Sequence, residues 1–128
     1  MIASELKQLI KDGALEKYSA LYSDLNSQKD RFLAAIDAFC AKYGADRDIS
    51  VFSVSGRSEI IGNHTDHNNG KVMAGAITRD IIAVAAKNND GVIRFYSEGY
   101  PEDAMKIADA YSPKNFRRFY NQEPCLYR

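Results

Sequence analysis

The spacing of apolar residues changes near residue 48. Before that point apolar positions recur at helical spacing, and after it they alternate or run together as strands do. Leu6, Leu9 and Ile10 predict a first helix, and Gly13 ends it. Ala14–Tyr22 predicts a second, short helix. Phe32, Leu33, Ile36, Phe39, Cys40 and Tyr43 form one apolar stripe, the clearest helical pattern in the chain. Ser27 is the expected N-cap of this third helix, Asp30 its first-turn acid and Gly44 its stop. The aromatic residues of this layer read as core.

"ISVFSVSG" predicts a strand over 49–55. A polar run follows, and 71–77 fits either a strand or a short turn of helix. "DIIAVAAK" and "VIRFYSE" both look like strands, and "NNDG" between them predicts a hairpin over 79–98. Pro101 suits the first position of a short helix in "PEDAMKIADAY". The pattern as a whole predicts one domain over 1–128, helical through 45, with a strand and polar motif at 49–76, the hairpin and a polar tail at 101–128. The fold class is α+β, with N-terminal helices packed on a mixed or antiparallel sheet.

Composition adds exclusions. The 128 residues carry 17 basic and 17 acidic side chains, so the net charge is zero. A neutral chain is poorly suited to a bulk polyanion. Arg117, Arg118 and Arg128 interleave with Phe116, Phe119, Tyr120 and Tyr127 in the tail, the outline of a single-stranded nucleic-acid platform. The neutral balance and the shortness of the stretch argue instead for a segment that packs against further chain. Cys40 and Cys125 lack metal or redox spacing and read as two free thiols in a reducing compartment. No apolar run approaches the ~20 residues needed to span a bilayer. The amphipathic start "MIASELKQLIKDG" lacks a signal peptide's apolar centre. Location is therefore expected to be cytoplasmic, with no membrane and no nucleic-acid partner.

Both histidines fall in "GRSEIIGNHTDHNNG", residues 56–70. His64, Asp66 and His67 are zinc-type donors, but the spacing is poor and no other histidine exists to complete the set. Gly56, Gly62 and Gly70 stand too far apart for a phosphate cradle, and no G-x-x-x-x-G-K-[ST] or G-x-G-x-x-G pattern occurs. Recognition of hydroxyls fits better. Asp66 as a carboxylate accepts from two neighbouring hydroxyls, Asn63 and Asn68 both donate and accept, and His64 does either. Arg57 follows the glycine that ends the strand, where it can face a shared cleft. A polar hairpin loop, with Asp and Asn capping backbone groups, explains the same residues. Sugar site and plain loop both stay open on the residues alone.

The stretch "SGRSEIIGNHTDHNNGKVMAGAI" resembles the galactokinase signature, a branch of the GHMP sugar and metabolite kinases. The family pattern reads P-G-R-V-N-L-I-G-E-H-T-D-Y-N-x-G. This chain keeps Gly56, Arg57, Ile61, Gly62, His64, Thr65, Asp66, Asn68 and Gly70. "DGVIRFYSEG" also resembles the family, while the helical start and the tail do so only loosely. The resemblance implies a partial GHMP-kinase N-terminal domain that holds a galactose-like sugar. It implies that Asp66, His64 and Asn63 bind sugar hydroxyls. It implies that Arg57 is catalytic, stabilising charge near the transferred phosphoryl group. ATP and Mg2+ are the implied cofactors, bound mainly by segments not found here.

Several positions depart from that pattern. Asn63 stands where the family has Glu, Glu59 where it has Asn, His67 where it has Tyr and Ser55 where it has Pro. Asn63 removes a charged acceptor facing the sugar, although a bacterial subgroup shares the G-N-H-T-D-H run. The family's P-x-x-x-G-L-S-S-S phosphate loop is absent from the sequence. The expectation is therefore the N-terminal, sugar-contacting portion of a galactokinase, inactive alone. A non-catalytic sugar-binding or sensing module is the alternative. A sheet lacking its later strands would leave an exposed edge, which favours self-association.

Overall fold

The computed structural model describes residues 1–62 and 69–110. Its contacts divide the chain into two compact units, Met1–Lys87 and a second beginning at Asn88. The class is α+β, as the apolar periods predict.

In the first unit, helix α1 spans Ala3–Lys11 and helix α2 spans Leu25–Tyr43. The Glu5 carboxylate accepts from the Ile2 amide at 3.3 Å, which satisfies one open donor at the start of α1. Gly13 follows α1 at φ +96°, where a side chain would be strained. The expected helix at Ala14–Tyr22 shrinks to one 3-10 turn, Glu16–Tyr18. Its amides bond three residues back, Glu16 to Gly13 and Ser19 to Glu16, so the chain turns without building an α-helix.

Helix α2 begins earlier than Ser27. Asp24 is extended at φ −128°, and its carboxylate accepts from the amides of Asn26 and Ser27 at 3.0 and 3.1 Å. Ser27 therefore sits inside the first turn, and Asp24 is the cap. Gly44 ends the helix at φ +92°, with its amide on the Cys40 carbonyl at 2.9 Å. The apolar stripe packs as its period predicts: Phe32 and Ile36 are buried, and Leu33, Phe39 and Cys40 pack against them. Cys40 is a free thiol. Lys7 of α1 pairs with Asp37 of α2.

Two strands complete the unit. β1 runs Ile49–Ile61, well past the end expected from the apolar run, and β2 runs Met73–Ala86. They pair antiparallel from Ile49↔Ala86 to Ile61↔Met73, which resolves 71–77 as strand for most of its length. Ile49, Val51, Ile82, Val84 and Ala86 face the helices and join Ala3, Ile10, Leu15, Phe32 and Ile36 in the core. Ile36, fully buried at its centre, contributes about 1.5–3 kcal/mol. The alternate positions of the ribbon are open, with Phe52, Val54 and Ile81 all more than half exposed.

The second unit holds β3, Val92–Phe95, and β4, Asp103–Lys106, paired antiparallel from Val92↔Lys106 to Phe95↔Asp103. This corrects two expectations. "NNDG" does not close a hairpin between the strands on either side of it, because β2 pairs with β1 and β3 with β4. The tetrapeptide instead makes a local turn into β3: Asn88 donates to the Val92 carbonyl at 2.8 Å, and the Asp90 carboxylate accepts from the Val92 amide at 3.0 Å. Arg94 and that amide hold the Asp90 carboxyl below its ordinary value. Pro101 does not open a helix either. Residues 103–106 are held in the β4 ladder, and only Ile107–Ala110 forms a helical turn, α3. The aromatic and basic tail from Tyr111 onward lies outside the described residues.

Candidate functional site

The run singled out in the sequence begins in the distal end of β1 and continues into the connector of the β1–β2 ribbon. The ladder reaches Ile61↔Met73, so the chain leaves β1 at Gly62 and re-enters β2 after Val72. The two ends of the connector are therefore held side by side. Gly62 adopts φ +134°, and a Cβ there would meet Val72 Cγ1 at 2.5 Å and Glu59 Oε1 at 2.8 Å. Only glycine combines that backbone angle with that close approach. Asn69, at φ +58°, takes the left-handed conformation that asparagine tolerates, just before Gly70. The Gly-x…Asn-Gly framing of the signature thus has a geometric basis at both ends.

Among the four expected site residues, Arg57 alone is described. It is exposed on β1, opposite Ala76. Asn63, His64 and Asp66 lie outside the described residues, as does His67. Just before Arg57 the ladder shifts. Ser55 pairs with Asp80 and Arg57 with Ala76, so Gly56 alone faces Ile77, Thr78 and Arg79. This is a β-bulge on β2. A Cβ on Gly56 would lie 3.2 Å from both the Arg79 carbonyl and Ile77 Cδ1, which explains the glycine of the G-R pair. A second shift follows between Glu59 and Ile61.

A polar cluster that the sequence reading missed sits beside the first shift. The Asp80 side chain is only 7% exposed. Arg31 Nη1 donates to its Oδ1 at 2.5 Å, and Arg31 Nη2 to the Asp80 backbone carbonyl at 2.7 Å. Ser53 Oγ and Tyr22 Oη both donate to Oδ2, at 2.6 and 2.7 Å. Gln28 accepts from Arg31 Nη1 at 3.0 Å. Burial pushes the Asp80 carboxyl up, but the bonds from Ser53, Arg31 and Tyr22, with the Arg31 charge, outweigh it and hold the group below its ordinary value. Burial also raises the Tyr22 hydroxyl, as do its bond to Asp80 and that carboxylate's charge, against the opposing bond with Ser53 and charge of Arg31. One sequence signal could have found the cluster. Asp80 is in phase with the inward Ile82, Val84 and Ala86, so a lone carboxylate was set to face the helices and needed partners there.

Among the described residues no group of three or more His, Cys, Asp or Glu side chains could hold a metal ion. No helix among them is long and apolar enough to cross a membrane.

Comparison with known proteins points at this same ribbon. The galactokinase galactose-binding signature matches residues 37–87, from the second half of α2 to the residue after β2. The galactokinase of Bacillus subtilis (strain 168) is 35% identical over 68 residues, 53% of this chain and 17% of that protein. The galactokinase of Streptococcus suis (strain 05ZYH33) is 43% identical over 65 residues, 51% of this chain and 16% of that protein. The galactokinase of Candida parapsilosis is 31% identical over 97 residues, 73% of this chain and 19% of that protein. The matched stretch thus spans less than a fifth of each of these relatives. No solved structure matches the chain. The α+β arrangement and these matches are consistent with a GHMP-kinase N-terminal domain. Over residues 37–87, the α2–β1–β2 segment with its 62–72 connector, the chain carries the galactose-binding signature of the galactokinase family.

Proposed function

We propose that this chain is the sugar-binding N-terminal part of a galactokinase. The whole protein would phosphorylate the 1-hydroxyl of galactose with ATP. The observation that carries the reading is the coincidence of the signature match at 37–87 with a ribbon whose connector holds the H-T-D run. Asp66 accepts from two sugar hydroxyls, and His64 and Asn63 bind others. Arg57, at the start of the distal half of β1, stabilises charge that develops on the transferred phosphoryl group. ATP and Mg2+ supply the phosphoryl group and its neutralising charge. The sequence has no P-x-x-x-G-L-S-S-S loop, and the chain alone transfers no phosphoryl group. The protein works in the cytoplasm.

Titration calorimetry with galactose tests the reading. The 128-residue chain should release heat on binding, and Asp66→Ala should abolish it. Absence of heat from the unaltered chain would remove the proposal. Galactose-dependent ATP consumption by the same chain would refute its inactivity. A non-catalytic sugar sensor is the second reading, favoured by Asn63 where the family pattern has Glu. Asn63→Glu separates the two, because a galactokinase site should bind galactose more tightly with the family's charged acceptor restored.

A further inference from the structure

The distal half of the β1–β2 ribbon, 57–61 against 73–76, has little of its own to set its register. On β2 it consists of Met73, Ala74, Gly75 and Ala76, and apart from Gly75 every paired residue of this half is exposed. Where no face is buried and side chains are small, sliding a strand by one residue costs little. Yet the signature requires one register. Arg57 lies opposite Ala76, and Gly62 lies against Val72.

The Asp80 cluster is placed where register is decided. Asp80 is the last β2 residue paired before the bulge, opposite Ser55. Its carboxylate and carbonyl are gripped by Tyr22 from the segment before α2, Arg31 from α2 and Ser53 from β1. Residues from three separate stretches of chain therefore hold one β2 residue. Moving β2 by one position would point Asp80 to the opposite face and bring Arg79 or Ile81, neither of them an acid, opposite the Arg31 guanidinium.

We propose that Asp80 is a positioning residue: bolted by Arg31, Tyr22 and Ser53, it sets the register of the signature strands and so where Arg57 stands and where the 62–72 connector leaves and returns. This goes beyond the sugar site, although its importance to ligand binding rests on the galactose reading. Asp80 acts through β2 and touches no substrate.

Amide hydrogen exchange on the 128-residue chain tests it. Asp80→Asn keeps the shape and removes the charge. Exchange at 57–61 and 73–76 should quicken about tenfold or more beyond the rise at 49–55 and 82–86, which follows only the global loss of stability. Equal acceleration in both halves, or none in either, would overturn the proposal, since a merely stabilising contact moves both together. Tyr22→Phe removes one donor without a charge and should give the same pattern at smaller amplitude, so the test survives if Asp80→Asn fails to fold. The double variant Arg31→Met with Asp80→Leu replaces the ion pair by apolar packing. It should regain the unfolding midpoint while the distal half stays fast; restored protection there would overturn the proposal. Galactose titration is read separately. A silent unaltered chain refutes the sugar reading, while the exchange pattern still decides the role of Asp80. If the unaltered chain binds galactose, full affinity in Asp80→Asn despite a loosened distal half would overturn the link between register and site.

Discussion

Residues 49–55 and 80–86 of the ribbon lie against the helices, with Ile49, Val51, Ile82, Val84 and Ala86 in or against the core and Asp80 held by four hydrogen bonds. Residues 57–61 and 73–76 pair as well, with one register shift between Glu59 and Ile61, but their side chains face solvent, with Ile60, Ile61 and Met73 each more than half exposed. The same two strands thus do two jobs. The proximal half anchors, and the distal half presents Arg57 and the ends of the signature connector. Backbone pairing alone does not make a strand rigid; buried side chains on one face do that.

The strongest way to break this division is to remove the anchor. Ile36 is fully buried at the centre of the helix–ribbon core. Ile36→Ala should cost about 2–5 kcal/mol, read as a lower urea midpoint, and both halves of the ribbon should lose exchange protection together. Asp80→Ala comes next. It leaves Arg31 without its partner and should cost about 2 kcal/mol, less than a fully buried pair because Arg31 keeps contact with water.

That effect depends on pH with a definite sign. Asp80 titrates below its ordinary 3.8 in the folded chain. Its contribution is therefore complete above that value and is lost as pH falls through the lower folded one. The stability gap between the unaltered chain and Asp80→Asn should narrow on acidification below about pH 4. A gap that stays constant into strong acid would deny the carboxylate its role.

Gly62→Ala probes the presenting half directly. A methyl at φ +134° would collide with Val72. The expected loss is about 1–3 kcal/mol of local stability, with galactose binding weakened more than the unfolding midpoint is lowered. The smallest effect belongs to the open face. Val54→Ser with Ile81→Ser should change stability by under about 0.5 kcal/mol per site. It should also weaken any concentration-dependent association, measured by size-exclusion chromatography, because both side chains are more than 60% exposed.

Much of the anchoring half was legible in advance. The stripe from Phe32 to Tyr43 recurs at helical spacing, and "ISVFSV" announces a strand, because burial on one side imposes a period on composition. The cap is Asp24 and not Ser27, since both are good N-caps and only the backbone angle at Asp24 chooses between them. "NNDG" misled because a strong turn signal is silent about which strands it joins. β2 found a longer partner in β1, and the turn serves β3 through its own side chains. The strand at 103–106 was hidden because a four-residue ladder can override a helical start signal.

The sequence by itself determined the α+β class, the helical stripe and the match of the 37–87 segment to the galactokinase galactose-binding signature. Its glycines, too, marked where the backbone must turn or approach closely. Those properties are local, written in period and residue type. Tertiary structure alone decided that the signature run spans the end of β1 and the connector of one ribbon, that Gly56 sits opposite a bulge, and that Tyr22, Arg31 and Ser53 converge on Asp80. These depend on strand register and on contacts between residues tens of positions apart, and no local pattern encodes a partner's address.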